Sequence, residues 1–513
     1  MTNLKNSISA ILAISLFGSV VACTSTNSIL GKQQLNSNTN TQTVGMSSLV
    51  KSTSVIDVLS SKAKVPTSNG FVVLTTSNGV IEEKPSTIPV SVSFTSTTPA
   101  KNSDSGVMSN LSVPTSETLA LNKSLPTAVY NEQISLVKKA VSQKKIKAST
   151  KIATNAVLQE GAERTFKVSD FDTNAVSVKT AVLKKVTKSA YFWVGKTEVS
   201  SIDMALLEKT AEFWEKKAFP TVTTKFAPAP MPPNDVDGEA RINIFIDKLS
   251  DGDGLYGYFS PVDVIPTEAD SNKTDMIYIG SWMFKKNKEN FDAVASTLIH
   301  EFQHLTNFNT RVTQRAMQNK EPLWGDRWLN EALSTYSEQV GGFGLPIGDQ
   351  FFVSYIKNFF NNTPAALIIT EDQGLNYGAE YLFMIYLVEQ YGDGIIKKII
   401  QSDTDGIKTI ESVTGKPFKT VFSDWATALL LSGSGTNPKF DFKSVDLHKT
   451  YGNVVLDGPK PVGDMNLQKI PMSANIKLPN WSVSYLSFQT KLADPLMFNL
   501  PSKNVTSKVV GVK

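Results

Sequence analysis

Two of the chain's three histidines stand four residues apart in LIHEFQHLTNF (Leu298–Phe308), with a glutamate directly after the first. On an α-helix, residues four apart lie one above the other, so His300 and His304 present their imidazoles from one face and can reach a common ion. Glu301 is turned about 100° away, beside that ion rather than on it. Two neutral imidazoles suit zinc, and a carboxylate beside a zinc-bound water can take its proton and pass it to a leaving amine, which is the chemistry of amide hydrolysis. Val294, Leu298, Phe302 and Leu305 form an apolar stripe on another side of the same helix, so the segment can be packed while its histidine face lines a cleft.

A catalytic zinc takes three protein ligands and keeps one position open, so a third ligand is needed. The metzincin pattern places a Gly and a further His along the same segment. Asn307 and Thr310 stand there instead, which excludes that class. WLNEALSTY (Trp328–Tyr336) offers a glutamate on a following helix. Leu329, Leu333 and Tyr336 set the apolar face of that helix, and Glu331 sits among Trp, Leu and Ala, where an unpaired carboxylate is costly to bury and a metal would neutralise it.

HEFQH followed by WLNEALS resembles the gluzincin zinc peptidases, in particular the secreted bacterial neutral metalloproteinases related to hyicolysin. The likeness runs from about Glu160 to Leu431 and includes GYF at Gly257–Phe259 and YGAEYLF at Tyr377–Phe383. It implies a zincin-like catalytic domain, zinc held by His300, His304 and Glu331, and Glu301 as general base. One departure stands out. Thermolysin-like enzymes carry an Asp four residues beyond the ligand glutamate to orient a zinc histidine, and here that place is Thr335. Asn330, Ser334 or a distant carboxylate are the candidates for that duty.

Peptide hydrolysis builds negative charge on the carbonyl oxygen, which a phenol or imidazole can stabilise. Tyr377 and Tyr381 are the candidates, with His448 a weaker one. Asp275–Ile279 is the candidate edge strand for an extended substrate backbone. Asp247, Asp251 and Asp253 around Gly252 and Gly254 suggest calcium only weakly, because the EF-hand spacing is absent.

The elements that must position these residues show as changes of period. Thr165–Val168, Tyr191–Val194, Arg241–Ile246 and Asp275–Ile279 read as strands. Ser201–Lys217, with a polar start followed by Leu206, Leu207, Ala211 and Trp214, reads as an amphipathic helix. From Asn290 the period lengthens to three or four and stays so to the turn at Ser432–Gly435; from Val454 it returns to short strand-like runs such as Trp481–Leu486. The expectation is an α+β fold. Its catalytic domain covers residues 159–435, a mixed sheet followed by a helical subdomain, with β-rich flanks at 63–158 and 436–513. Within the first flank, Phe71–Leu74 and Val90–Phe94 read as short strands or extended linker, and SLVKKAVSQKKIK (Ser135–Lys147) as a basic helix with a solvated face. That flank fits an accessory domain or a propeptide equally well.

The single cysteine, Cys23, follows a basic start (Lys5), an apolar stretch from Ile8 to Phe17, and the small residues Val20, Val21 and Ala22. This resembles a bacterial lipoprotein signal peptide over residues 1–22. It implies cleavage before Cys23, acylation of its thiol and an extracytoplasmic protein held by lipid at the bacterial cell envelope, on the outer membrane or cell surface. Residues 23–62, dominated by Ser, Thr, Asn and Gln, read as a solvated tether. With Cys23 so used, no disulfide is possible within the chain, and stability rests on the core and on metal.

A net charge of +4 over 513 residues, with Lys and Glu interspersed, gives no argument for nucleic acid, whereas protein or peptide substrates fit. The expected function is a lipid-anchored zinc endopeptidase. Two other readings compete: a surface adhesin on an inactive peptidase fold, and a zinc aminopeptidase, for which the chain shows no acidic motif to grip a free amino terminus.

Overall fold

The computed structural model describes residues 52–57, 62–65, 69–77, 87–96, 106–108, 127–146, 157–170, 175–228, 237–250, 255–286, 290–368, 376–435, 437–467, 472–490, 496–500 and 504–512. The expected signal peptide, Cys23, Asp251 and Asp253 lie outside the described residues.

The N-terminal stretch supplies strands β1 (Ser52–Asp57), β2 (Lys62–Val65), β3 (Gly70–Thr76), β4 (Thr87–Ser96) and β5 (Gly106–Met108), then helix α1 (Thr127–Ser142). β1 falls inside the stretch expected to be a tether. Its partner lies at the other end of the chain, and the composition of a local window cannot reveal a distant pairing. Helix α1 is not merely a solvated basic face either, because Val137 and Ala140 are fully buried.

The next body is a mixed sheet. Strands β6 (Glu163–Asp170), β7 (Ala175–Val186) and β8 (Ala190–Gly195) form an antiparallel meander. Helices α2 (Met204–Phe213) and α3 (Phe219–Lys225) follow, joined by a π-turn, and then β9 (Ile242–Asp247), β10 (Gly257–Phe259) and β11 (Met276–Gly280). Asp203 starts α2 by accepting the Ala205 N–H at 2.8 Å, satisfying one of the donors a helix start leaves open.

The spatial order is β10-β11-β9-β8-β7-β6, with β8, β9 and β11 parallel and β10 antiparallel to β11. Asp275–Ile279 therefore belongs mostly to an interior strand, and the edge beside it is β10. A three-residue strand carries no readable alternation, which is why the sequence pointed one strand too far in. Side chains alternate across the sheet as period two requires. Phe192, Val194, Ile244, Ile246, Ile277 and Ile279 face the helices, while Tyr191, Trp193, Phe245, Met276 and Tyr278 build a second core on the other side.

The helical part runs through α4 (Phe291–Phe308), a short α5 (Gln314–Met317), α6 (Arg327–Gly341), α7 (Gln350–Asn361), α8 (Tyr377–Tyr391), α9 (Ile395–Ile400), α10 (Gly406–Thr414) and α11 (Phe418–Leu431). Helix α4 is capped by Asn290, whose side chain accepts the Ala293 N–H at 3.2 Å. The expected stripe packs as its spacing requires: Val294, Leu298, Phe302 and Leu305 are fully buried. Phe302 stacks on Phe219 at 5.6 Å and leans on Trp214 at 4.6 Å. Truncating such an aromatic to Ala costs roughly 3–5 kcal/mol.

Between α7 and α8 lies β12 (Ala365–Ala366), and after α11 come a hairpin of β13 (Thr450–Tyr451) and β14 (Val454–Val455), then β15 (Gly463–Asn466), β16 (Met472–Pro479), β17 (Ser482–Gln489), β18 (Leu496–Asn499) and β19 (Val505–Val512). These last strands interleave with β1–β5. One sheet runs β1-β19-β3-β17-β12 with β15 alongside β17; the other runs β2-β18-β4-β16-β5.

The two sheets close on Val72, Leu74, Phe94, Ile476, Leu486 and Phe498. The opposite face of the first sheet, with Phe71, Val73, Tyr485 and Val510, joins the helical core. Strand β3 is thus buried on both sides, which explains its unbroken apolar run. The architecture is α+β, and its β-rich flanks are two halves of one sandwich.

Candidate metal centre

Helix α4 carries its chemistry on a buried face: His300 and Glu301 are fully buried and His304 is 7% exposed. Helix α6 packs against α4 and α8, and the α4 contact is close because α6 presents small residues there. Ser337 Oγ reaches the Ile299 carbonyl at 3.4 Å, and a Cβ on Gly341 would come within 2.9 Å of Ile299 Cδ1. The close approach brings Glu331 to the two histidines.

His300 Nε2 and His304 Nε2 are 3.1 Å apart, and Glu331 Oε2 lies 3.4 Å from the first and 3.5 Å from the second. A tetrahedral ion with bonds of 2.0–2.1 Å holds its ligand atoms about 3.3 Å apart, so this triangle has the size of three corners of a zinc site. Among the described residues, His300, His304 and Glu331 are the group of three placed to hold a metal ion.

Helix α6 also supplies a group that the sequence reading did not single out. His300 Nδ1 donates to Glu338 Oε1 at 2.9 Å, and both side chains are fully buried. Glu338 lies seven residues after Glu331, two turns along the same face, so one helix meets both nitrogens of one imidazole. The distant carboxylate is therefore the partner of this histidine. Thr335 turns inward on its own helix, donating to the Glu331 carbonyl at 2.7 Å, and Ser334 does the same with the carbonyls of Asn330 and Glu331. Asn330 accepts from Asn307 Nδ2 at 2.8 Å. The signal in the sequence was a second glutamate spaced seven from the first.

Electrostatics follow the geometry. Burial would push the His300 imidazole down, but its bonds to Glu331 and Glu338 and the charges of Glu338 and Glu301 outweigh it and raise its pKa to about 10. Burial would raise Glu331, yet the His304 charge and the bonds to both imidazoles hold it well below the usual carboxylate range. Glu380 on α8, fully buried, is pushed far up by burial and by the charge of Glu331. Glu380 is thereby held in its neutral form, while the ionised Glu331 is a buried charge that a divalent cation would compensate.

Beside the three donor atoms opens a cleft lined by Glu301, His304 and Glu331 together with Phe259, Trp324 and Arg327. Strand β10 passes directly over α4. A Cβ at Gly257 would fall within 2.7 Å of both Thr297 Cγ2 and the Tyr278 carbonyl oxygen, and 3.2 Å from Glu301 Cγ, so only glycine allows this approach.

The other sequence candidates are placed elsewhere. Tyr381 is a core residue: its hydroxyl donates to Gln339 Oε1 and accepts the Leu345 N–H at 3.0 Å, while its ring packs on Phe352 at 4.4 Å. Tyr377 starts α8 with its ring 5.2 Å from that of Tyr355, and it does not line the cleft. The Tyr355 phenol on α7 is pushed far up by burial and by the charges of Glu338 and, more weakly, Glu331. His448 packs against Gly458, outside the cleft lining, and burial lowers its pKa. Asp247 is paired with Lys179 at 2.8 Å.

Compared with known proteins, 270 residues are 29% identical to the neutral metalloprotease ShpI of Staphylococcus hyicus, covering 49% of this chain and 58% of that relative. The match thus spans somewhat more than half the relative's length. No family profile matches the chain.

Proposed function

We propose that this chain is a zinc-dependent endopeptidase held at the outer face of a bacterial envelope by a lipid on Cys23. The observation that carries the catalytic part is the 3.1, 3.4 and 3.5 Å triangle of His300, His304 and Glu331 atoms, with Glu301 on the adjoining cleft wall. The likeness to a neutral metalloprotease supports it.

A bound zinc supplies Lewis-acid activation of water and of the scissile carbonyl. The remaining work falls to side chains and backbone. Glu301, which no mere metal-binding site requires, takes the proton of the attacking water and delivers it to the departing amine. Glu338 holds His300 in the tautomer whose Nε2 is free to bind metal. The outer edge of β10, the last strand in its sheet, offers backbone groups to an extended peptide lying along the cleft.

The test is a peptide blocked at its amino end, incubated with the wild type and with Glu301→Gln, with zinc measured in both. Cleavage by the wild type alone, at equal zinc content, supports the reading. Bound zinc with no turnover by the wild type on any peptide sinks it and favours a binding lipoprotein. Cleavage only of peptides with a free amino end favours an aminopeptidase.

A further inference from the structure

Helix α1 lies far from the zinc helix in sequence, in the region that read equally as accessory domain or propeptide. In the fold it stands at the cleft. It packs against the 3-10 turn Pro261–Val264, whose Pro261 lines the cleft, and buries Val137 and Ala140, joined by Ile146 just after its end, in the same core as α4. The Lys138 ammonium lies 5.5 Å from the centroid of the Trp324 ring, and Trp324 is itself a cleft wall.

The charges around this wall are unequal. The carboxylates lining the cleft are Glu301 and Glu331, both assigned above to the metal chemistry. Arg311 is consumed by the carbonyls of Ile399, Ile400 and Thr404 and by Asp405, and Arg327 leans toward Glu331 at 3.8 Å. Exposed Lys138 adds a positive charge beside an aromatic surface, a combination suited to an acidic side chain whose neighbour is apolar.

We infer that α1 is a resident wall of the substrate cleft, and that Lys138 with Trp324 contacts the peptide and favours an acidic side chain there. This rests on the peptidase reading. It requires α1 to stay with the catalytic body in the active protein, so residues 127–146 are not a propeptide.

The experiment uses zinc-loaded full chain carrying Glu301→Gln, which binds without cleaving. Tryptophan fluorescence reports titration with two blocked peptides that differ by Glu or Lys at one scanned position. Tighter binding of the Glu peptide by about 2–5-fold is expected at one position, matching a partly exposed ion pair. The preference should vanish in Lys138→Met and reverse in Lys138→Glu. Equal Glu/Lys ratios in all three proteins overturn the inference, as does an intact mass showing that the cleaving species begins after Ile146. Because binding is read in a protein that cannot turn over, failure here is separable from failure of the peptidase reading, which shows instead as no cleavage by the wild type.

Discussion

Glu338 Oε1 sits 2.9 Å from His300 Nδ1, while Glu331, two turns earlier on the same helix, approaches the Nε2 of the same ring at 3.4 Å. One imidazole is thus gripped on both nitrogens by carboxylates of a single helix, which sets its tautomer and aim together.

Replacing Glu338 by Ala should weaken zinc binding by about 10–100-fold, as loss of such a partner does elsewhere, with Glu338→Gln intermediate because an amide oxygen still accepts the ring N–H. Competition against a chelator of graded strength reads the change. Unaltered affinity in Glu338→Ala would mean that the His300 orientation is set by packing alone.

Glu331→Ala and Glu301→Gln should part company. The first removes a donor atom from the triangle and should lower both zinc content and cleavage; the second should abolish cleavage with zinc retained, since the role proposed for Glu301 is on the water and not on the metal. Zinc per protein after mild dialysis, measured alongside peptide hydrolysis, decides it. Full zinc and normal turnover in Glu331→Ala would place the third ligand elsewhere.

Asp263 gives a pH signature away from the metal. Burial is the main cause raising its pKa from 3.8 to about 7, against hydrogen bonds from Tyr278 Oη at 2.7 Å and from the backbone and side chain of Asn272, both at 2.9 Å. Below the unfolded value both states are protonated. Between 3.8 and about 7 the folded chain keeps a proton that the unfolded chain has lost, so stability falls as pH rises, by up to about 1.4 kcal/mol per unit. Above that window both states are ionised and the loss is constant. Urea midpoints of Asp263→Asn should therefore gain on the wild type across the window, and parallel curves would contradict the buried-acid assignment.

Deleting Val505–Val512 removes the strand between β1 and β3 and should unfold the N-terminal strands with the C-terminal ones. Hydrogen exchange over residues 70–76 should rise to unprotected rates. Protection that survives the deletion would show that the two flanks fold separately.

Cys23→Ser should move the protein from the membrane fraction to the soluble one, because a lipid on that thiol is the proposed anchor. Among the described residues, no helix is long and apolar enough to cross a membrane. Full retention with washed membranes would dismiss the lipid proposal.

What the sequence determined by itself is what local periodicity encodes. The spacing of His300, Glu301 and His304 assigns each to a helix face whatever surrounds the helix, and the stripe from Val294 to Leu305 says which face is packed. Glu331 stood out because a carboxylate among Trp, Leu and Ala must be compensated when buried, and the fold sets it beside the two imidazoles.

Tertiary structure alone decided the rest, because it depends on which surfaces meet. Glu338 became the partner of His300 only once Ser337 and Gly341 let α6 settle close to α4. The phenol of Tyr381 was lost to the site because Gln339 and Leu345 claimed it. The short strand β10 became the edge through pairing with β11, and the chain's two flanks became one sandwich through hydrogen bonds between strands more than 400 residues apart, such as β3 and β19. Residue type and spacing fix what a side chain can do and which way its element turns it; the partner across the gap is chosen by packing between distant segments, which no local window contains.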